Sequence, residues 1–367
     1  MGVEKEVLPR RTAIIHYWLV NMRGGERVLE ALCELYPEAD IYTHVLDEDA
    51  ISSFLRQRNI KTTFINRLPW AKKLYQAYLP LMPLALEQLN LSGYDLVISS
   101  ESGPAKGVIV GPNTLHVCYC HSPMRYLWDM HSDYLIDASL PVRLLFPLLA
   151  HYLRIWDRHS ALGVDRFIAN SAFVAKRIQK CYRREAEVIP PPAAVEEFYI
   201  AEEKDDYYLL FGQLVKYKRA DLAIEAFNRL GKRLVVIGDG EMLSKLKSMA
   251  NGNIEFLGKQ PFGQVKHYLA HCQALIFPGV EDFGIVPVEA MASGRPVIAF
   301  AAGGVMETVR ENVTGLFFHQ QTPESLIEAI ERFEHSQAQF DPLAIRCHAE
   351  SFSKELFKRR IADFIGS

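Results

Sequence analysis

The second half of the chain alternates short apolar runs with amphipathic stretches at helical spacing, and this alternation limits the fold more than any other feature. Tyr207–Phe211, Arg233–Ile237 and Ile254–Leu257 read as strands, and Ala220–Leu230, Glu241–Ala250 and Phe262–His271 read as the helices between them. Strands separated by helices cannot pair as hairpins, so the pattern predicts a parallel sheet with right-handed crossovers. The first half repeats the order less regularly. Thr12–Val20, Asp95–Ser100, Leu115–Cys120 and Asp165–Ser171 read as strands, Glu26–Leu35 as a helix apolar at Val28, Leu29, Leu32 and Leu35, and a further helix runs through Cys181. Between the halves, Val188–Ala193 contains three consecutive prolines, which offer no amide donors; this segment is expected to be a linker. The reading is therefore an α/β chain with an N-terminal domain over residues 1–190, a second domain over 191–352 and a terminal amphipathic helix within 353–367.

Composition narrows the function classes. A net charge of -3 gives no global field to recruit nucleic acid, and none is expected as a partner. Six cysteines without a repeated spacing fit a reducing compartment, not a disulfide framework. The N-terminal residues show no apolar signal core, and no uninterrupted apolar run spans a bilayer, so a cytoplasmic location is expected.

Val280–Phe300 carries the densest chemistry. Ala274–Pro278 reads as a strand, Val286–Ala292 as a helix with Pro287 in its first turn, and Pro296–Phe300 as the next strand. Glu281 then sits on a strand-to-helix loop and Glu289 in the early turns of the helix. That loop belongs to the carboxyl edge of a parallel sheet, where ligands bind. Gly284 allows backbone amides to approach a ligand, and the helix N-terminus favours an anion. Two carboxylates that accept hydroxyl hydrogen bonds, beside an anion site, suit a phosphate flanked by polyols; a nucleotide sugar is such a ligand. Near the N-terminus, Asn21–Gly25 reads as a turn whose Gly24 and Gly25 leave amides open to a phosphate.

The register E-D-F-G-I-V-P-V-E-A-M-A-S-G-R-P-V resembles the retaining family-four glycosyltransferases of GT-B fold. The resemblance covers nearly the whole chain and is strongest to bacterial GDP-mannose-dependent alpha-mannosyltransferases of surface-polysaccharide assembly. It implies two Rossmann-like domains facing each other across a cleft, with the terminal helix returning to the first. It implies that Glu289 holds the ribose hydroxyls and that Glu281 holds the transferred sugar beside the amides of Phe283, Gly284 and Ile285. Gly238 matches a glycine of the family's cleft, and Lys218 matches a lysine that neutralises the donor diphosphate. The family has an arginine where Gln213 stands; either Arg219 or Lys216 assists Lys218, or diphosphate binding is weaker.

The run C-Y-C-H-S-P-M-R-Y-L-W-D also resembles the family, where the matching histidine, His121, lies against the donor sugar; Arg125, Tyr126, Asn170 and Ser171 are then expected along the cleft. A zinc reading of His116, Cys118, Cys120 and His121 is disfavoured, because 121 falls on the opposite face of the strand from the other three. Asp47-Glu48-Asp49 has the form of a metal-binding motif of other glycosyltransferases, but fits a helix start as well. No metal and no cofactor is expected. Lys61–Leu91 and Ser139–Trp156 mix basic, aromatic and leucine residues; they suit an anionic membrane surface beside a polyprenyl-diphosphate-linked saccharide acceptor, or plain packing on the sheet.

The expected activity is transfer of a hexose, mannose from GDP-mannose, to a saccharide hydroxyl, on the cytoplasmic face of the inner membrane. A UDP-sugar-dependent transferase, a sugar-nucleotide epimerase, a glycogen-synthase-like polymerase and a non-catalytic two-lobed sugar binder stay open. A Rossmann dehydrogenase is disfavoured, since no G-x-G-x-x-G follows an early strand.

Overall fold

The computed structural model describes residues 11–136 and 140–366. The reading of the N-terminal segment, and the start of the second basic stretch at Ser139, lie outside them. By internal contacts the chain divides into two units: one extends to Pro191 and takes in the chain from Phe357 onward, and the other is Pro192–Leu356.

Unit 1 holds seven parallel strands: β1 (Thr12–His16), β2 (Asp40–Thr43), β3 (Ile60–Thr62), β4 (Leu96–Glu101), β5 (Leu115–Cys120), β6 (Arg166–Ala169) and β7 (Ala186–Val188), in the order β3-β2-β1-β4-β5-β6-β7. β1 and β4 are buried along their whole length, as expected of strands covered on both faces. Helices α1 (Gly24–Leu35), α2 (Leu140–Ser160) and α3 (Ala172–Tyr182) belong to this unit.

Unit 2 holds six parallel strands: β8 (Tyr208–Phe211), β9 (Leu234–Ile237), β10 (Ile254–Gly258), β11 (Leu275–Phe277), β12 (Val297–Phe300) and β13 (Gly315–Phe318), in the order β10-β9-β8-β11-β12-β13. Its helices include α4 (Ala220–Leu230) and α5 (Ile285–Ala292). α5 is buried from Val286 to Ala292, which explains why it is apolar all round and carries no amphipathic stripe. Both sheets are doubly wound and reverse direction once, between β1 and β4 and between β8 and β11. At such a reversal the loops diverge and leave a crevice at the carboxyl edge.

The last helix, α6 (Lys354–Gly366), buries Phe357, Ile361 and Ile365 in the core of unit 1 with Ile14, Leu29 and Leu96. Lys358 pairs with Glu34 at 3.1 Å, and Arg166 Nη1 donates to the Phe364 carbonyl at 2.8 Å.

Three local expectations need correction. The first strand ends at His16, and only Leu19 makes a further bridge, to Leu46. Gly24 and Gly25 are the first residues of α1, not a turn before it. The proline-rich segment is not wholly irregular, since Val188 ends β7 and Ala193 pairs with Ser353.

Candidate functional site

In unit 2, the loops after β8 and β11 flank the reversal point. Residues of those loops, Gly212, Gln213, Lys218, Pro278, Gly279 and Glu281, line a small cleft there with the ends of both strands. Lys218 Nζ lies 2.8 Å from Glu281 Oε1, both side chains about one-fifth exposed. Charges as secluded as these attract more strongly than a surface pair, yet keep a path to solvent and to a ligand. The Glu281 carbonyl accepts from the Gly304 amide at 2.9 Å, which fixes the loop at its base. Gly284 caps α5 in the left-handed conformation at φ 87°. Phe283 is buried edge-on against Phe352, Ile285 begins the helix, and Glu289 is buried in its second turn.

Gly238 lies where the strand-end loops touch. A Cβ there would come within 1.8 Å of the Gly212 carbonyl oxygen, so only glycine lets the loops after β8 and β9 close together. Gln213 is exposed. The Arg219 guanidinium is directed elsewhere: Nε donates to Asp221 at 3.2 Å and Nη1 to Gln321 at 3.0 Å. The structure therefore brings Lys218 together with Glu281 but does not bring Arg219 to them. A wide depression lined by Lys232, Arg233, Glu255 and Glu334 lies at the opposite, amino-terminal edge of this sheet. Its charges are already matched, Arg233 with Glu255 and Lys232 with Glu334.

In unit 1, His121 follows the tip of β5. Its Nε2 is 2.9 Å from Ser100 Oγ at the end of β4, and Ser100 Oγ is 3.1 Å from Nδ1 of His16 at the end of β1. Burial pulls the His121 pKa down to about 3, and the neighbouring His16 adds to the shift, so the ring is neutral near pH 7. The Asn170 amide donates to the His121 carbonyl at 2.9 Å, and Ser171 Oγ caps α3 by accepting from the Val174 amide at 3.1 Å. Gly25 belongs to the same corner. A Cβ on it would fall 2.4 Å from Tyr17 Oη and 3.7 Å from His121 Nε2, so a side chain there would displace Tyr17.

Arg125 and Tyr126 lie on the loop after β5. Arg125 Nη1 is 3.8 Å from Met130 Sδ, and Tyr126 packs against Met124 and Leu127. That loop is pinned by groups the sequence reading missed. Arg177 on α3 donates to Ser122 Oγ and Asp129 and, at 3.2 Å, to the Pro123 carbonyl. Trp128 Nε1 donates to Asp157 on α2 at 2.8 Å. Asp157 in turn belongs to a buried node in which Lys106 Nζ contacts Asp157, Glu101 (2.6 Å) and Tyr182 Oη (3.4 Å). Periodicity gives no signal for these, because the partners come from five separate segments.

The two ring nitrogens of His116 bond to Ser99 (3.0 Å) and the Gly163 carbonyl (3.1 Å), and Asp47 pairs with Lys72 at 2.8 Å. Among the described residues no group of three histidine, cysteine or acidic side chains is arranged to hold a metal ion.

Comparison with known proteins accounts for this arrangement. The family model described as Glycosyltransferase Family 4 matches residues 22–197, and the one described as Glycosyl transferases group 1 matches residues 195–350. The chain belongs to the group 1 glycosyltransferases. An uncharacterized glycosyltransferase of Methanocaldococcus jannaschii is 30% identical over 182 residues, 48% of this chain and 52% of that protein. A GDP-mannose-dependent alpha-(1-6)-phosphatidylinositol monomannoside mannosyltransferase of Mycobacterium tuberculosis is 30% identical over 136 residues, 32% of this chain and 35% of the relative. The chain thus spans about half the length of the first relative and a third of the second. The solved structure of Anabaena HepE in complex with UDP and glucose superposes with a TM-score of 0.72 at 18% identity, over 97% of this chain and 99% of that one. The fold is therefore GT-B, two parallel-sheet α/β domains, as in the HepE structure.

Proposed function

We propose that the protein transfers a hexose from a nucleotide sugar to a saccharide hydroxyl with retention of configuration, and that the donor is GDP-mannose. The observation that carries this reading is the Lys218–Glu281 pair at the reversal point of unit 2. A lysine and a carboxylate in contact there form a preassembled receptor for a diphosphate next to a polyol. The cation meets the phosphate oxygens, and the carboxylate, once released from the cation, accepts sugar hydroxyls. Glu289 would hold the ribose, and Lys218 would stabilise charge building on the leaving diphosphate. With the Arg219 guanidinium held by Asp221 and Gln321, Lys218 is the cation nearest the task. On unit 1, considered by itself, the amides of Gly24 and Gly25 would bind an anion, and His121 would offer a neutral ring to a sugar hydroxyl. No carboxylate beside Glu281 is placed as a covalent nucleophile, so the leaving phosphate itself would take the acceptor proton. Mannosyltransferases among the relatives support the choice of mannose, while the UDP complex of HepE keeps a UDP-sugar donor as the competing reading.

A labelled-donor assay tests this. GDP-mannose, UDP-glucose and UDP-galactose are each incubated with the chain, and release of labelled sugar is followed. Turnover of GDP-mannose above the others is expected, with Lys218→Ala and Glu281→Ala each losing about 10²–10³-fold while staying folded. Wild-type turnover in either variant would sink the roles, and turnover of a UDP-sugar alone would replace the donor.

A lipid-linked acceptor at a membrane surface completes the reading. Leu144, Leu145, Leu148, Tyr152 and Ile155 of α2 are exposed, Leu148 by 72%, as is Trp70 by 75% in the first basic stretch. Leu79 of that stretch and Phe146 and Leu149 of α2 pack against the same buried cluster of Met124, Leu127, Ala150 and Leu153. Neither Lys61–Leu86 nor Leu140–Trp156 contains an acid, so basic and apolar groups stand together as an anionic surface requires. Among the described residues no helix is long and apolar enough to cross a membrane. Vesicles containing phosphatidylglycerol should bring the chain to the top of a flotation gradient, and Leu144→Glu with Leu148→Glu should leave it at the bottom. Equal flotation of the double variant would remove this face from the reading.

A further inference from the structure

The hydrogen-bonded corner of unit 1 extends past His121 to a group with no assigned role. His16 Nδ1 bonds Ser100, and its Nε2 is buried without a hydrogen-bond partner, 3.7 Å from Glu26 Oε1. The other carboxylate oxygen, Oε2, accepts from the Arg23 amide at 2.8 Å. His16, Glu26 and Ser100 are all at most 1% exposed. Glu26 on α1, His16 on β1, Ser100 on β4 and His121 after β5 therefore form one chain across the carboxyl edge of the sheet.

We propose that Glu26 acts through His16 and Ser100 as a positioning residue that fixes the tautomer of His121, with the proton on Nε2 and a bare Nδ1. The Ser100 hydroxyl has one proton, so it donates to one ring and accepts from the other. With neutral imidazoles two arrangements satisfy it. In one, His16 carries its proton on Nε2, facing the Glu26 carboxylate; Ser100 donates to His16 Nδ1 and accepts from His121 Nε2–H. In the other, every donor and acceptor is exchanged, and a bare His16 Nε2 lone pair faces a buried carboxylate. Two buried acceptors confronting each other are the costly case, so the carboxylate selects the first. Nδ1 of His121, the nitrogen that Ser100 does not use, is then an acceptor. On the proposed function this selects a ligand hydroxyl that donates, as a sugar hydroxyl does; the tautomer itself does not rest on that reading.

Nitrogen-15 spectra of histidine-labelled full chain at pH 8.5, without ligand, read both ring nitrogens. His121 is expected protonated at Nε2 and bare at Nδ1. Glu26→Gln supplies the sharper test. Its amide oxygen takes the place that accepts from Arg23, so its NH₂ faces His16 Nε2 and donates, which turns the chain around and moves the His121 proton to Nδ1. Ser100→Ala cuts the chain and should leave His121 a mixture of tautomers; its far-UV spectrum checks that the fold survives. A purely structural Glu26 would leave the His121 tautomer unchanged in Glu26→Gln. That result, or Nδ1–H in the parent chain, overturns the proposal. In the GDP-mannose assay, Glu26→Gln should raise KM or lower kcat by about tenfold. Loss of the tautomer change with donor turnover intact fails only this inference, whereas the reverse fails only the donor reading.

Discussion

The two sheet edges solve the same problem with different chemistry. In unit 2 the edge at the reversal point is held by a charged pair, Lys218 with Glu281, on short loops anchored by backbone bonds such as that from Gly304 to Glu281. In unit 1 the corresponding edge is built from hydrogen-bonding groups, the buried His16 and Ser100 and the half-buried His121, and the buried cations nearby are matched, Lys106 by Glu101 and Asp157 and Arg177 by Asp129. A partly exposed ion pair can exchange its partner for a ligand with little loss. A largely buried network cannot, because breaking it leaves a desolvated group unpaired. The contrast indicates that unit 2 presents groups meant to change partners, while unit 1 presents groups meant to stay in place.

The strongest way to break this contrast is to remove the buried cation. Lys106 is fully buried; burial works against its charge, but Asp157 and Glu101 outweigh it and hold the ammonium protonated. Lys106→Met keeps the length of the side chain and leaves two buried carboxylates facing one another. A loss of about 3–5 kcal/mol in urea unfolding is expected, enough to unfold much of unit 1. The control on unit 2 is Glu324→Ala, which removes the exposed partner of Arg229 and should leave the midpoint where it is. Should Lys106→Met unfold at the parent midpoint, the node is not what holds the edge of unit 1.

The sequence displayed the two edges unequally for the same physical reason. Unit 2 was legible nearly residue by residue as far as Phe300, beyond which β13 and the helices that follow it in that unit were not read. β11, α5 and β12 fall within a residue or two of Ala274–Pro278, Val286–Ala292 and Pro296–Phe300, because a local alternation of apolar run, glycine and proline punctuation sets each boundary. Glu281 could be singled out by its place on a strand-end loop, and Lys218 by the family resemblance. In unit 1 four strands were found, but β2, β3 and β7 were missed: they are three or four residues long, too short for any period to show. Glu26 was read only as the first residue of a helix and Lys106 was not singled out, since burial is a property of the tertiary packing. Residues 16, 26, 100 and 121 meet only when β1, β4 and β5 are ordered side by side, and no window along the chain contains them together. Arg219 is the converse case. Its place in a basic cluster suggested a phosphate contact, whereas Asp221 and Gln321 hold its guanidinium.

Acid sharpens the contrast by a smaller amount. Burial pulls His44 and His116 down to about 4 and His121 to about 3, and all three are in unit 1. A buried imidazole that stays neutral while the unfolded chain takes up a proton near pH 6.5 contributes stability that is full above that pH. The contribution falls as the pH drops toward the folded value, because over that interval the unfolded state binds more protons. Glu101 works the other way: burial raises its pKa, so it resists acid. After that offset and local relaxation around each ring, a net loss of about 2 kcal/mol between pH 6.5 and 4 is expected, well below the full sum at 1.36 kcal/mol per unit. Unit 2 has one such histidine, His348, lowered by a burial that is only partial. All four tryptophans, 18, 70, 128 and 156, lie in unit 1, so tryptophan fluorescence reports that unit while far-UV circular dichroism reports both. On acid titration the fluorescence transition should come at higher pH than the dichroism transition. Coincident transitions below pH 3.5 would mean that the buried histidines do not set the acid stability of unit 1, and would leave the two edges alike in the one property where neutral and charged construction should differ.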